Sequence, residues 1–317
     1  MASARPTTLA IFVILAALSS MSAGCTSPAP STLAQGDSAT PGVGATPTLD
    51  STLDQRLPIE KYLISPQEND RIEGARSALM TSCMKRFGFD FKPVETDYRQ
   101  KWNQTSHRYD PTDPALAAIH GYHGPQSGGQ SPVRPSRAPL SPDMEVVLGH
   151  GIGAPTPPGT TRPPANGKYH GIPIPKGGCM GEAEEKLTAG GGIIQDSPMA
   201  IDINFKNYVR SMADTKLKAV FAEWSACMKA KGYSYPTPEA AVKDPAWGTP
   251  TPSKRELATA SADATCKRQN NVVGTWFAIE SAYEMRDIQV NGKQMASIRH
   301  SIDIALRNAV ATRTSGS

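Results

Sequence analysis

The chain of 317 residues carries a formal charge of only +4, and aromatic residues make up 6% of it. So weak a basic balance, without a cluster of lysine and arginine, argues against a nucleic-acid-binding surface. Apolar residues reach 38%, while glycine and proline are abundant. Core material is therefore thin for this length, and covalent crosslinks are expected to compensate.

The first 24 residues have the organisation of a secretory signal peptide. Arg5 and the amino terminus supply a weakly positive region, and residues 9–18 form an apolar run. A run of roughly ten residues suits a cleaved leader and is shorter than the about 20 residues that a membrane-spanning helix needs. Residues 1–24 are therefore predicted to direct export and to be removed.

Cys25 follows this leader in the sequence Met-Ser-Ala-Gly-Cys. The segment resembles the lipobox of bacterial lipoproteins, although Ser22 stands where leucine is usual. The resemblance implies that Cys25 is lipidated and becomes the first residue of the mature protein. Two acyl chains hold a protein stably in a bilayer, so the expected location is the extracytoplasmic side of the cell membrane. Simple cleavage with free secretion is the alternative.

Four cysteines follow Cys25: Cys83, Cys179, Cys227 and Cys266. An even number in an exported chain predicts disulfide bonds. A zinc site would need closely spaced pairs such as C-x-x-C, and no two of these cysteines are close in sequence. We therefore expect two disulfides and neither a metal nor another cofactor.

Two stretches are too poor in apolar residues to form a core. Residues 25–56 consist largely of Ser, Thr, Pro, Gly and Ala, which predicts a flexible tether between Cys25 and the folded part. Residues 124–170 are rich in proline and glycine, which predicts a disordered insertion with a short hairpin near residues 144 to 148.

Helical patterns with defined starts occupy the remaining sequence. Ser65-Pro66-Gln67-Glu68 is a capping box that begins a helix ending at Gly88. Ser197-Pro198 begins another, and its inward face is predicted to carry Ile201, Phe205, Tyr208 and Met212. A third helix runs from about 215 to 231. A second capping box at 253–256 opens a segment to about 312, with a break at Asn291-Gly292.

Alternating strand-like runs are nearly absent from the sequence. We therefore predict a mainly α, disulfide-stapled helical domain. Its first helical half covers residues 57–123 and its second covers residues 171–313, with the insertion between them.

An internal repeat links the ends of two predicted helices. Residues 83–91 (CMKRFGFDF) align with residues 227–235 (CMKAKGYSY). The glycine is expected to adopt the left-handed conformation that ends a helix. The aromatic residues that follow it, Phe89, Phe91, Tyr233 and Tyr235, could form a platform for a sugar or a peptide, but covering the core is the preferred interpretation.

These motifs resemble a group of actinobacterial secreted lipoproteins. That group carries the same paired C-M-[KR]-x-x-G-[FY] segments, a G-G-C-x-G-E-A stretch, here residues 177–183, and an A-x-C-K-R stretch, here residues 264–268. The resemblance covers most of residues 57 to 290 and implies the class and the compartment. It implies no activity and no functional residues.

Four cysteines allow three pairings. If the repeat is structural, each C-M-K helix pairs with the cysteine that follows it, which joins Cys83 to Cys179 and Cys227 to Cys266. The competing arrangement joins Cys83 to Cys266 and Cys179 to Cys227. The sequence favours the first arrangement without excluding the second.

Two motifs that superficially match known sites are assigned to loops. His120 and His123, with His107 upstream, could bind a metal, but they lack the spacing of a helical zinc site and Gly121 favours a loop. The glycines of residues 149–153 are similar to a nucleotide-binding loop. They follow no convincing strand, and prolines stand where a helix should begin.

Carboxylates form the remaining candidate site. Glu280, Glu284 and Asp287 fall on one face of a predicted helix, and Glu182 and Glu185 lie in the Cys179 segment. Paired carboxylates could perform acid–base chemistry on a glycan. The preferred interpretation is a solvated face, or one met by neighbouring arginines.

The preferred functional hypothesis is a lipoprotein that acts as an interaction or binding module outside the membrane. Its partners would be the lipid bilayer, through Cys25, and an envelope protein or cell-wall component, with no nucleic acid. One alternative is a cell-envelope hydrolase acting on glycan or peptide. Another is a solute-binding component of a transporter, which would show two α/β lobes. No catalytic residue is predicted.

Overall fold

The computed structural model describes residues 41–93, 105–123, 140–149 and 167–314. Within these ranges the chain is mainly helical, as predicted, and no helix there combines the length and the apolarity needed to span a membrane. The α-helices are α1 (Pro66–Arg86), α2 (Pro114–His120), α3 (Pro142–Leu148), α4 (Gly178–Thr188), α5 (Pro198–Ala213), α6 (Thr215–Ala230), α7 (Pro238–Val242), α8 (Lys254–Gln269), α9 (Val272–Val290) and α10 (Gly292–Thr314).

Short elements complete the described chain. Two 3-10 helices span Pro58–Tyr62 and Pro245–Trp247. Strands β1 (Lys168–Tyr169) and β2 (Ile172–Pro173) form an antiparallel hairpin.

The predicted capping boxes begin α1 and α8, but only the first is complete. At α1, Ser65 Oγ accepts a hydrogen bond from the Glu68 N–H (3.3 Å), and the Glu68 carboxylate accepts from the Ser65 N–H (2.8 Å). At α8, Ser253 Oγ accepts from the Glu256 N–H (3.1 Å), while the Glu256 carboxylate accepts from the Tyr122 N–H (2.9 Å). Glu256 therefore holds the segment after α2 instead of its own helix start.

The inward face predicted for α5 is partly wrong. Ile201 and Phe205 are 50% and 67% exposed, although Tyr208 and Met212 do pack against the core. The buried residues of α5 are Ala200, Ile203, Asn207 and Ser211. An apolar pattern misses this face because two of its positions are polar and bonded: Asn207 donates to Asp287, and Ser211 accepts from the Trp276 indole.

The helical segment after Ser253 breaks twice. The predicted break at Asn291-Gly292 separates α9 from α10, and an unpredicted break at Asn270-Asn271 separates α8 from α9. Asn271 has a φ of 46°, a left-handed conformation that asparagine tolerates better than most residues. Its side chain also bonds the backbone near residue 47, so a tertiary contact supports the break.

The helices of the two sequence halves are interlocked. α1 packs against α4 and α10, and α9 packs against α5 and α6. α2, from residues 57–123, lies on α8, where Ala117 meets Ala260 and Ala264. The boundaries at 57–123 and 171–313 therefore do not mark separate packing units.

Both copies of the repeat end their helices in the same way. In the first copy the Phe89 N–H donates to the Met84 carbonyl (3.1 Å), with Gly88 at a φ of 84°. In the second the Tyr233 N–H donates to the Met228 carbonyl (3.0 Å), with Gly232 at a φ of 88°. This arrangement is a Schellman motif, in which the left-handed glycine lets the exit segment satisfy the last carbonyls of the helix.

The disulfide pairs are those that the repeat favours. Cys83–Cys179 joins α1 to α4, and Cys227–Cys266 joins α6 to α8. The similarity stops there, since Cys179 lies in the first turn of α4 whereas Cys266 lies in the last turn of α8. The copies share a helix end but not the direction of the partner helix.

The hairpin predicted near residues 144 to 148 is wrong, because these residues belong to α3. Ser141 Oγ accepts from the Met144 N–H (3.3 Å), so Ser141-Pro142 starts this helix as Ser65-Pro66 starts α1. Val147 and Leu148 are buried beside the Cys83–Cys179 disulfide. Residues 124–139 and 150–166 of the predicted insertion lie outside the described residues.

The predicted tether is wrong in its last part. Thr52 is fully buried, and its hydroxyl donates to the Thr105 carbonyl (2.8 Å). Val43 and Leu49 pack against the core around Trp276. Residues 41–56 therefore belong to the folded domain, while the first part of the tether, with Cys25, lies outside the described residues.

Candidate functional site

An open cleft of about 980 Å³ lies between residues 105–113, α2, α5, α7 and the junction of α8 and α9. This volume is at the upper end of the range typical of small-molecule sites. Its floor contains the buried Tyr109 and Trp276 rings, and Tyr208 stacks on Trp276 with 5.4 Å between ring centroids. The floor is therefore built from packed aromatic rings.

Exposed apolar side chains line this cleft. Leu53, Leu116 and Val242 are 43%, 46% and 38% exposed, and each contributes to its wall. Apolar side chains that line a concave site gain free energy when a ligand removes them from water. The cleft is thus suited to hold another molecule.

The charged side chains that line the cleft are largely compensated by one another. Two ion pairs form among them, Arg268 with Asp50 (3.3 Å) and Lys243 with Glu239 (2.7 Å), and His107 Nδ1 lies 2.5 Å from Asp110. A wall whose charges are paired gives little electrostatic selection for a charged ligand. The cleft is therefore best matched to an apolar or uncharged surface.

The α9 carboxylates are buried, so the solvated-face interpretation is wrong. Glu280 pairs with Arg108 and accepts a hydrogen bond from the Tyr109 hydroxyl (2.7 Å). Asp287 pairs with Arg210 (2.7 Å). The alternative, a row met by neighbouring arginines, describes these two carboxylates correctly.

Glu284 differs from both, because it pairs with no cation among the described residues. Its side chain is buried and accepts from the Ile59 N–H (3.0 Å), while its second oxygen has no hydrogen-bond partner. Burial, reinforced by the nearby Glu280, raises the pKa of Glu284 to about 9. Glu284 is therefore protonated at neutral pH and holds the first 3-10 helix through a neutral carboxyl group.

A second buried ion pair supports the floor from α8. Lys267 Nζ lies 3.2 Å from Asp263 and donates to the backbone carbonyls of Tyr109 (3.1 Å) and Pro111 (3.2 Å). Asp263 also accepts from the Trp224 indole (2.9 Å). These bonds fasten the loop before α2 to α8, so the floor is held in place without a ligand.

The histidine motif occupies the end of α2 and the turn that follows, close to the loop that was predicted. His123 Nδ1 lies 2.8 Å from Glu256, and Nε2 lies 2.7 Å from the Thr249 carbonyl. The bond to Thr249 and the contact with Glu256 raise the pKa of His123. Since both ring nitrogens are engaged, His123 is poorly placed to bind a metal or to accept a proton from a substrate.

The other candidate residues have structural roles or lie elsewhere. Glu182 pairs with Arg86 and with Lys186 (2.7 Å), and Glu185 is exposed on the same helix, α4.

Gly149 ends α3, and a Cβ there would lie 2.1 Å from the Gly177 carbonyl oxygen. The rest of the nucleotide-like loop lies outside the described residues. In the described chain no group of three or more His, Cys, Asp or Glu is placed to hold a metal ion.

The exit aromatics of the repeat pack on the core. Phe91 is 3% exposed, and Phe89 packs against the cluster around the Cys83–Cys179 disulfide. Tyr233 and Tyr235 pack against the cluster that contains Trp224. Their positions support the core-covering interpretation over a binding platform.

Sequence reasoning missed the residues that build the cleft. Arg108 and Tyr109 belong to no recognisable sequence motif. They contribute to the cleft only because their loop crosses to α8 and α9. The Asp263–Lys267 pair did carry a signal, since its spacing of four matches a helical ion pair. That spacing usually marks an exposed pair, so it could not reveal burial.

Comparison with known proteins adds no assignment. Scans against protein-family models and searches of curated proteins and of solved structures found no match to this chain.

Proposed function

We propose that this protein is a lipoprotein, held at the outer face of the cell membrane through Cys25, and that it acts there as a binding module. The leader-like residues 1–24 and the small residues before Cys25 support the location. Two disulfides in the folded domain fit an oxidising compartment.

The observation that carries the binding role is the cleft. It combines an apolar wall, compensated charges and a floor that internal hydrogen bonds hold in place. A site that is rigid before binding loses little conformational entropy when a ligand enters. We infer that the ligand presents an uncharged, largely apolar surface, such as a segment of an envelope protein.

The alternative of an envelope hydrolase has less support. It needs carboxylates that converge on an open groove, whereas Glu280 and Asp287 are paired with arginines. Glu182, on α4, is paired with Arg86 of α1. A transporter's solute-binding component usually has two α/β lobes, and the described chain has one hairpin of two-residue strands.

In-cell photo-crosslinking tests the binding site. A benzophenone amino acid replaces Leu116 in the cleft wall or, as the control, Val310, a 56% exposed apolar residue of α10. We expect a specific crosslinked species from position 116 that is absent from position 310. Leu116→Asp should weaken ligand binding at least tenfold, because it places a charge against the apolar ligand surface, and Val310→Asp should not. Equal crosslinking at both positions would exclude the cleft as the site.

A separate measurement tests the anchor. The mass of the peptide that begins at Cys25 should include a diacylglycerol group, and Cys25→Ala should move the protein from the membrane fraction to the medium. An unmodified Cys25 in membrane-associated protein would contradict the anchor without affecting the cleft.

A further inference from the structure

The first described residues are fastened to one corner of the fold. The Asn271 side chain, between α8 and α9, donates to the Pro47 carbonyl (2.9 Å) and accepts from the Leu49 N–H (3.3 Å). Gly274 makes room for this segment, because a Cβ there would lie 1.9 Å from the Pro47 oxygen. Residues 47–49, which follow the predicted tether in sequence, are therefore fastened at this corner.

The carboxyl end of α6 lies at the same corner. The Cys227–Cys266 disulfide, with 5.8 Å between Cα atoms, fixes the last turn of α6 to the last turn of α8. Leu49 packs against the cluster that contains Met228. We name residues 47–50, 227–231 and 266–271 the basic corner.

The basic corner has an excess of positive charge. Its charged residues are Lys229, Lys231, Lys267, Arg268 and Asp50. Lys267 is buried against Asp263, and Arg268 pairs with Asp50. Lys229 and Lys231 are exposed and form no ion pair with a described carboxylate. Two positive charges thus remain uncompensated at the corner that holds residues 47–50.

The equivalent end of α1 is different, although it shares the repeat. There Arg86 pairs with Glu182 across the helix interface. A basic residue near a helix end interacts favourably with the helix dipole, which would explain lysines at both ends. Unlike Arg86, neither Lys229 nor Lys231 meets a carboxylate of a neighbouring described helix.

We propose that the basic corner faces an anionic membrane, with Lys229 and Lys231 contacting phospholipid phosphates. This inference rests on the proposed function in one respect, namely that the chain is tethered to a bilayer. Residues 25 to 41 span at most about 55 Å, so the corner stays within reach of the surface. Each lysine near an anionic leaflet raises the equilibrium constant for the contact roughly fivefold. The two together bias the orientation of the tethered domain.

The test uses the full chain tethered to vesicles. Cys25 is the one cysteine outside the two disulfides, so in protein produced without lipidation its free thiol reacts with a maleimide phospholipid. Vesicles of phosphatidylcholine alone are compared with vesicles that also contain phosphatidylglycerol. The acetylation rate of each lysine by a water-soluble reagent is then measured by mass spectrometry.

Lys216 and Lys218 provide a matched control, since they are exposed at the opposite end of α6. We expect anionic vesicles to slow acetylation of Lys229 and Lys231 at least threefold relative to neutral vesicles, with little change at the control lysines. High salt should abolish the difference. Anionic vesicles should also protect the backbone amides of residues 227–235 from hydrogen exchange. The double variant Lys229→Gln/Lys231→Gln should lose this protection, and the control variant Lys216→Gln/Lys218→Gln should retain it.

Three results would overturn the inference. The first is equal slowing at both ends of α6, and the second is no slowing at either end. The third is the same slowing by soluble polyphosphate without vesicles, which would assign the corner to a soluble polyanion. None of them depends on whether Cys25 is lipidated in the cell, so a failed anchor and a failed corner are distinguishable.

Discussion

At the residue scale, the interior contains ionisable side chains that do not all have a partner of opposite charge. Glu60 lies in the first 3-10 helix, and Glu284 accepts a hydrogen bond from that helix. Burial raises the pKa of both, and also that of Glu280, one turn before Glu284 on α9. Arg108 compensates Glu280, and Glu60 accepts hydrogen bonds from the backbone and hydroxyl of Thr105. Glu284 avoids the cost of a buried charge by keeping its proton.

The Glu284 proton makes stability depend on pH. Its folded-state pKa of about 9 lies above its ordinary value of 4.5, so the folded state binds this proton more tightly than the unfolded state. The contribution is fully present below pH 4.5 and is lost as pH rises from 4.5 to 9. Within this window the carboxyl lowers the free energy of unfolding by up to about 1.4 kcal/mol per pH unit.

Glu284→Gln should remove that dependence, because glutamine is neutral at every pH and keeps the oxygen that accepts from Ile59. Urea unfolding at several pH values between 5 and 8.5 measures the slope. We expect a flatter profile for the variant, with the largest gain over the natural protein at the alkaline end and little difference near pH 5. Parallel profiles for the two proteins would show that Glu284 is already ionised in the folded state.

At the element scale, helix ends are determined by local chemistry. Gly88 and Gly232 both adopt a left-handed φ, and a Cβ at either would meet no atom within 4 Å. Glycine is therefore favoured at these two positions by the left-handed backbone conformation, since there is room for a side chain. Gly74 lies in the interior of α1, is exposed and also has open space around its Cα.

The three glycines allow one substitution to be compared in two contexts. Gly88→Ala and Gly232→Ala should each lower the free energy of unfolding by about 1 kcal/mol, because alanine is strained at positive φ. Gly74→Ala should raise it by up to about 1 kcal/mol, because alanine is the better helix former. Thermal and urea unfolding measure all three, and a stabilising effect at either helix end would contradict the Schellman assignment.

At the scale of the whole molecule, distant parts of the sequence are fastened together. α2 crosses to α8, and Glu256 holds its exit by accepting from the Tyr122 N–H. Gly121 suits that turn because its φ is 62°, and a Cβ there would also lie 2.3 Å from the Glu256 carboxylate. The cleft exists because this crossing places residues 105–113 over α8 and α9.

The disulfides staple segments separated by 96 residues (Cys83–Cys179) and 39 residues (Cys227–Cys266). In the chain-entropy treatment, removing them costs about 5 and about 4 kcal/mol respectively. Double alanine variants of each pair, compared by urea unfolding, should both be destabilised, with the longer loop losing slightly more. Cys25→Ala, which breaks neither bond, is the control. A negligible loss from either pair would show that the disulfide does not restrict the unfolded chain.

Much of the fold could be predicted from local signals. Capping residues located the starts of α1, α5 and α8, and the repeat indicated both helix ends and the favoured disulfide pairing. The same signals failed where a polar residue is buried through a distant partner, as at Asn207 and Ser211 of α5. They also failed at α3, whose Ser141-Pro142 start lies in a stretch that composition alone predicted to be disordered.

The sequence by itself determined the helical class and the ends of α1 and α6, because capping and glycine conformation act over a few residues. The number of cysteines predicted two disulfides, and the tertiary structure decided which cysteines pair. Only the tertiary structure decided which carboxylates are buried, which cation each one meets and where the cleft opens. These features depend on contacts such as Tyr109 with Glu280, which are 171 residues apart. Burial and pairing change the charge state of a residue without changing its neighbours in the chain, so local patterns cannot report them.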